Sequence, residues 1–98
     1  MDNNYYVLDG HTPKAVKDVL EWGTTFKSQD RVVEKTTIGD VDISTVFLGL
    51  NHRYGEGEPL LFETMIFGGD DDGYQDRYST WDEAVKGHKL ACEKVSAK

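Results

Sequence analysis

Val41-Asp42-Ile43-Ser44-Thr45-Val46-Phe47 alternates between two faces, with Val41, Ile43, Thr45 and Phe47 on one and Asp42, Ser44 and Val46 on the other. A period of two is the mark of a strand that packs through one face. The second face turns apolar towards Leu48-Gly49-Leu50, so burial is expected to deepen along the strand. Downstream, Leu60–Phe67 is the most apolar stretch, interrupted at Glu63 and Thr64, and predicts a central strand. Upstream, Arg31–Thr37 reads as a strand joined to the alternating run by Ile38-Gly39-Asp40-Val41, a Gly-bearing turn suited to a hairpin.

Helices flank these strands. Thr12 followed by Pro13 has the form of a helix start, with a capping hydroxyl and a residue that has no amide to lose. Val16, Val19, Leu20, Gly23 and Phe26 then recur at helical spacing, which predicts a first helix over about Pro13–Lys27. Thr80-Trp81-Asp82-Glu83 is a capping box, and Trp81, Ala84, Val85, His88, Cys92 and Val95 form one stripe, which predicts a second helix over Trp81–Val95. Tyr5–Leu8 reads as a short first strand ended by Asp9-Gly10, and Arg77-Tyr78 adds a brief edge strand. The expected fold is a single α+β domain over residues 1–98, in the order β-α-β-β-β-(β)-α: an antiparallel sheet of four or five strands with both helices packed on one face.

Composition narrows the function classes. The net charge of −7 argues against direct nucleic-acid binding, which needs clustered Lys and Arg. No apolar run reaches the ~20 residues that span a bilayer, and the first ten residues lack the basic and apolar regions of a signal peptide. A single cysteine, Cys92, leaves no internal disulfide, so a reducing cytoplasm is expected. Charge is uneven along the chain: residues 51–79 carry seven acids against two bases, and residues 80–98 three acids against four bases.

Ser44-Thr45-Val46-Phe47-Leu48-Gly49-Leu50-Asn51-His52, Leu61-Phe62-Glu63-Thr64-Met65-Ile66-Phe67-Gly68-Gly69, and Tyr78-Ser79-Thr80-Trp81-Asp82-Glu83-Ala84 followed by Gly87-His88 resemble a family of small bacteriophage and prophage proteins. Tyr6-Val7-Leu8-Asp9-Gly10-His11 fits the same pattern, so the resemblance covers most of the chain. The chain departs from that pattern at Asn51 and Glu58-Pro59, in the loop between two strands. The resemblance implies a phage context and a place in the host cytoplasm. It brings no activity and no site residues.

Catalytic patterns are few. His52, Glu63 and His88 sit within or beside apolar elements and could hold zinc if the fold gathered them, but no HxxxH, HxH or CxxC pair accompanies them. A histidine on an apolar stripe is more often a hydrogen-bonded core residue, and Glu63 can face solvent or pair with Arg53. Asp70-Asp71-Asp72-Gly73 fails as a calcium loop, because alignment on Gly73 puts Gly68 at its first position and Ser79 at its twelfth. Phosphate-loop and nucleophile-elbow patterns are absent, and Cys92 lies in the last turn of its helix, away from the N-terminus that would activate it. These absences point away from an enzyme, and no cofactor is called for.

The acidic middle of the chain is the best candidate surface. Glu56 and Glu58 share one loop, Asp70, Asp71, Asp72 and Asp76 lie in and after the next, and Tyr54 and Tyr74 sit beside them. A strand between the two loops puts them about 25 Å apart at a rise of ~3.3 Å per residue, as separate patches or a stripe along an edge. Acids with tyrosines among them suit docking on a basic groove, although acidity also simply keeps a small protein soluble. The expected function is a non-enzymatic phage accessory protein that binds a host macromolecule and inhibits a defence or nucleic-acid-processing complex. The alternatives are a metal module on His52, Glu63 and His88, and a virion assembly protein that forms a homo-oligomer through a sheet edge.

Overall fold

The computed structural model describes residues 4–53 and 55–97. Its elements are β1 (Tyr6–Asp9), β2 (Thr12–Ala15), α1 (Val19–Ser28), β3 (Val32–Ile38), β4 (Val41–Phe47), β5 (Phe62–Phe67), β6 (Gln75–Tyr78) and α2 (Trp81–Ser96). The class is α+β. The last four strands form one antiparallel sheet in the order β3-β4-β5-β6, and β1 and β2 form a separate two-stranded ribbon. The strand expected at Arg77-Tyr78 is present as β6.

The alternating run behaves as its period requires. Ile43, Thr45 and Phe47 of β4 are fully buried, as are Phe62, Thr64 and Ile66 of β5, and both sets face α2. From α2 come Ala84, Gly87, His88 and Ala91, a stripe at helical spacing. The capping box forms: Glu83 N–H donates to Thr80 Oγ1, and Glu83 Oε1 accepts from the Ser79 and Thr80 amides, all at 3.1 Å.

The N-terminal third departs from expectation. Thr12-Pro13 does not start a helix; it belongs to β2, with Pro13 opposite Leu8 and the turn made at Gly10, whose φ is +64°. Asp9 and Thr12 close this two-residue hairpin, so Pro13 sits at a position whose missing amide would have pointed outward, where an edge strand tolerates it. The helix begins six residues later at Val19, capped by Asp18, whose Oδ1 accepts from Leu20 N at 2.9 Å.

The two helices also part company. α2 packs across all four strands, whereas α1 packs against β1. Trp22 Nε1 donates to both Tyr6 O (3.0 Å) and Gly49 O (3.1 Å), and Phe26 lies where a Cβ on Gly49 would stand. The Gln29 side-chain amide completes the junction: Nε2 donates to Leu8 O at 2.6 Å and Oε1 accepts from Leu8 N at 3.1 Å. One side chain thus does for β1 what a third strand would do. His11, at the hairpin turn, stacks on Trp81 at 3.8 Å and ties the ribbon to the start of α2.

Candidate functional site

The core under α2 is built in three bands. Leu8, Phe47, Leu61, Phe62 and Ala84 form one apolar cluster; Ile43, Ile66 and Ala91 form another. Between them, each contributing element places a polar residue: Thr45 on β4, Thr64 on β5 and His88 on α2. Thr45 Oγ1 lies 2.5 Å from Thr64 Oγ1 and 2.7 Å from His88 Nδ1, while His88 Nε2 lies 2.8 Å from Thr36 Oγ1. Burial lowers the His88 pKa, and the Glu34 carboxylate, 3.9 Å from Nε2, pulls it partly back up. The chain of hydroxyls satisfies both ring nitrogens, and at 1 % exposure the imidazole is closed to any substrate. His88 is the hydrogen-bonded core histidine.

The other two members of the metal reading lie elsewhere. Glu63 neighbours Thr64 on β5 and therefore points to the sheet face away from His88. There its Oε2 accepts from Arg77 Nε at 2.9 Å and Gln75 Nε2 at 2.5 Å, so the ion pair is with Arg77 rather than Arg53. His52 is exposed beyond the sheet. Among the described residues, no three or more His, Cys, Asp or Glu side chains are disposed to hold a metal ion. Cys92 packs beside the Ile43, Ile66 and Ala91 cluster.

Apart from Asp76, which lies opposite Thr64 midway along β5, the candidate acids divide between the two ends of that strand. Glu56 and Glu58 are exposed in the loop before it. Asn51 Oδ1 closes the base of that loop by accepting from Arg53 N (2.9 Å) and Leu60 N (3.0 Å), and Arg53 Nε donates to Glu58 O across it. Tyr54 lies outside the described residues. After β5 come Asp70, Asp71 and Asp72, in a turn whose Asp72 Oδ1 accepts from Gly68 N at 2.7 Å. Asp76 is exposed on β6, and its Oδ1 accepts from Arg77 N at 3.0 Å. Tyr74 is half-buried against the Ile43 cluster; burial raises its pKa, and the Asp76 charge adds to the rise. It is a packing residue more than an exposed anchor.

The fold adds two acids to the second group. Asp42 pairs with Phe67 across β4 and β5, so the β3–β4 turn lies beside the loop that follows β5. The approach is close: a Cβ on Gly68 would stand 2.9 Å from Asp40 O, and one on Gly69 would stand 2.8 Å from Val41 Cγ2. Asp40, Asp42, Asp70, Asp71 and Asp72 therefore gather at one end of the molecule. Lys94, with Nζ 3.9 Å from Asp71 Oδ1, is the cation paired there. Val95, in the last turn of α2, borders the same loop, so the negative end of the helix dipole adds to the field. The signal for Asp40 and Asp42 was in the sequence as the antiparallel order itself, because a strand that starts at Val41 must begin where its neighbour ends.

No helix among the described residues is long and apolar enough to cross a membrane. Comparison with protein-family profiles, curated proteins and solved structures gives no match to this chain.

Proposed function

We propose that the chain is a small, non-enzymatic accessory protein of a bacteriophage that docks its acidic end on a basic surface of a host macromolecule in the host cytoplasm, inhibiting a defence or nucleic-acid-processing complex. The observation that carries this reading is the gathering of Asp40 from the β3–β4 turn, Asp42 from the start of β4, and Asp70, Asp71 and Asp72 from the loop after β5. Three of the five have structural duties: Asp42 accepts from Thr37 Oγ1 at 2.7 Å, Asp72 holds the Gly68 amide, and Asp71 faces Lys94. The Asp40 and Asp70 carboxylates make no hydrogen bond or ion pair among the described residues, and they are exposed. Uncommitted like charge at one end raises the local potential and steers a basic partner. The phage context rests on the sequence resemblance.

Immobilised protein exposed to host lysate at low and moderate salt tests this reading, with Asp40→Lys/Asp70→Lys as the control. The reading expects one stoichiometric partner with a basic surface, weakened by salt and lost with the double variant. Equal capture by both proteins contradicts it. Assembly through the β3 edge is the weaker reading, because this long strand carries a bulge between Val32 and Glu34 and an exposed Lys35, devices that discourage edge pairing. Light scattering on a sizing column should accordingly give a monomer of 11.1 kDa.

A further inference from the structure

A groove of about 400 Å³ runs between β6 and α2, on a flank distinct from the Asp40 and Asp70 carboxylates. Its helix wall is the stripe Glu83, Lys86, Gly87 and Leu90, and its strand wall is Asp76–Ser79. Gly87 lets the helix come down onto the Tyr78 ring; any Cβ there would collide with it. β6 has no strand on its outer side among the described residues. Tyr74 O accepts from Ile66 N at 3.1 Å in the ladder register, so alternation turns the backbone groups of Gln75 and Arg77 outward.

We propose that this groove takes an extended peptide segment of a partner protein, bearing a carboxylate and an apolar side chain, as an added strand on β6. An extended backbone is what the outward groups of Gln75 and Arg77 can pair with. Asp76 Oδ1 holds the Arg77 amide in the free protein and gives way to a peptide carbonyl. The charges select the side chain. Glu83 is engaged by the Ser79 and Thr80 amides, whereas Lys86 makes no hydrogen bond or ion pair among the described residues, leaving a cation for an incoming carboxylate. Leu90, 64 % exposed, and Leu60 offer the apolar contact.

The test is selection of random dodecapeptides displayed on filamentous phage against the full chain, with Lys86→Glu/Leu90→Glu as the counter-target. Both positions face solvent, and circular dichroism of the double variant checks its fold. An enriched peptide is then synthesised and titrated into ¹⁵N-labelled protein. The proposal expects an acidic–apolar peptide that shifts the amides of Gln75, Arg77 and Lys86–Leu90. It also expects a loss of affinity of tenfold or more on Lys86→Glu and no change on Asp40→Lys/Asp70→Lys, which keeps this surface separate from the acidic end. No enrichment over the counter-target, or a peptide that shifts other amides or ignores Lys86→Glu, overturns it.

Discussion

His88 is held inside an apolar interface by a chain of hydroxyls: its two nitrogens meet Thr45 and Thr36, and Thr45 in turn meets Thr64. Replacing His88 with Leu strips Thr36 of its partner and Thr45 of one of its two, which should cost about 1–3 kcal/mol in urea denaturation. The triple variant Thr45→Val/Thr64→Val/His88→Leu should cost less than the sum of its three single changes, since the singles break the same Thr45-centred bonds and their sum counts each twice. The proton adds a second expectation. Burial holds the folded pKa of His88 below the ordinary 6.5, so the unfolded chain binds the proton more readily. Stability is therefore full above about pH 6.5 and declines as pH falls from there through the depressed folded value, levelling off once both states are protonated. Urea midpoints measured from pH 7.5 down to 5 should show that slope, and His88→Leu should flatten it. That His88 is a core histidine was legible from its place on an apolar stripe. Its partners were not, because they depend on strand register, which single-sequence periodicity leaves open.

Among the elements, the sheet and α2 were readable because their signals agree: a strict period of two in Val41–Phe47, a Gly turn, and a capping box ahead of a 3.6-residue stripe. The first helix was expected and is present, but its start was not readable, because two start signals compete within seven residues. Thr12-Pro13 has the form of a cap, but pairing with β1 takes these residues into a hairpin, and Asp18, with Glu21 three residues on, is the working start. The two possibilities give opposite mutational results. Asp18→Ala should destabilise the protein by about 1 kcal/mol, while Thr12→Ala should change its stability by no more than a few tenths. Thermal unfolding of the two variants decides this. Pairing with Gln29 was equally illegible, since nothing in a sequence marks a side-chain amide that substitutes for a strand.

The whole molecule is charged unevenly, and the fold sharpens what composition only suggests. Acids that are up to 32 positions apart, Asp40 and Asp72, come together because adjacent antiparallel strands bring their turns to one end. Glu56 and Glu58, at the other end of β5, stay apart from them, as strand length alone required. The acidic character was thus legible, and its assembly was legible only as far as the strand order. Once the host partner is captured, its association rate with the wild-type chain and with Asp40→Lys/Asp70→Lys should be followed by stopped flow from 20 to 300 mM salt. Docking through the acidic end predicts that the wild-type rate falls steeply with salt, and that the double variant associates at least tenfold more slowly at low salt with a flatter dependence. Superimposable rates for the two proteins at every salt concentration would contradict it.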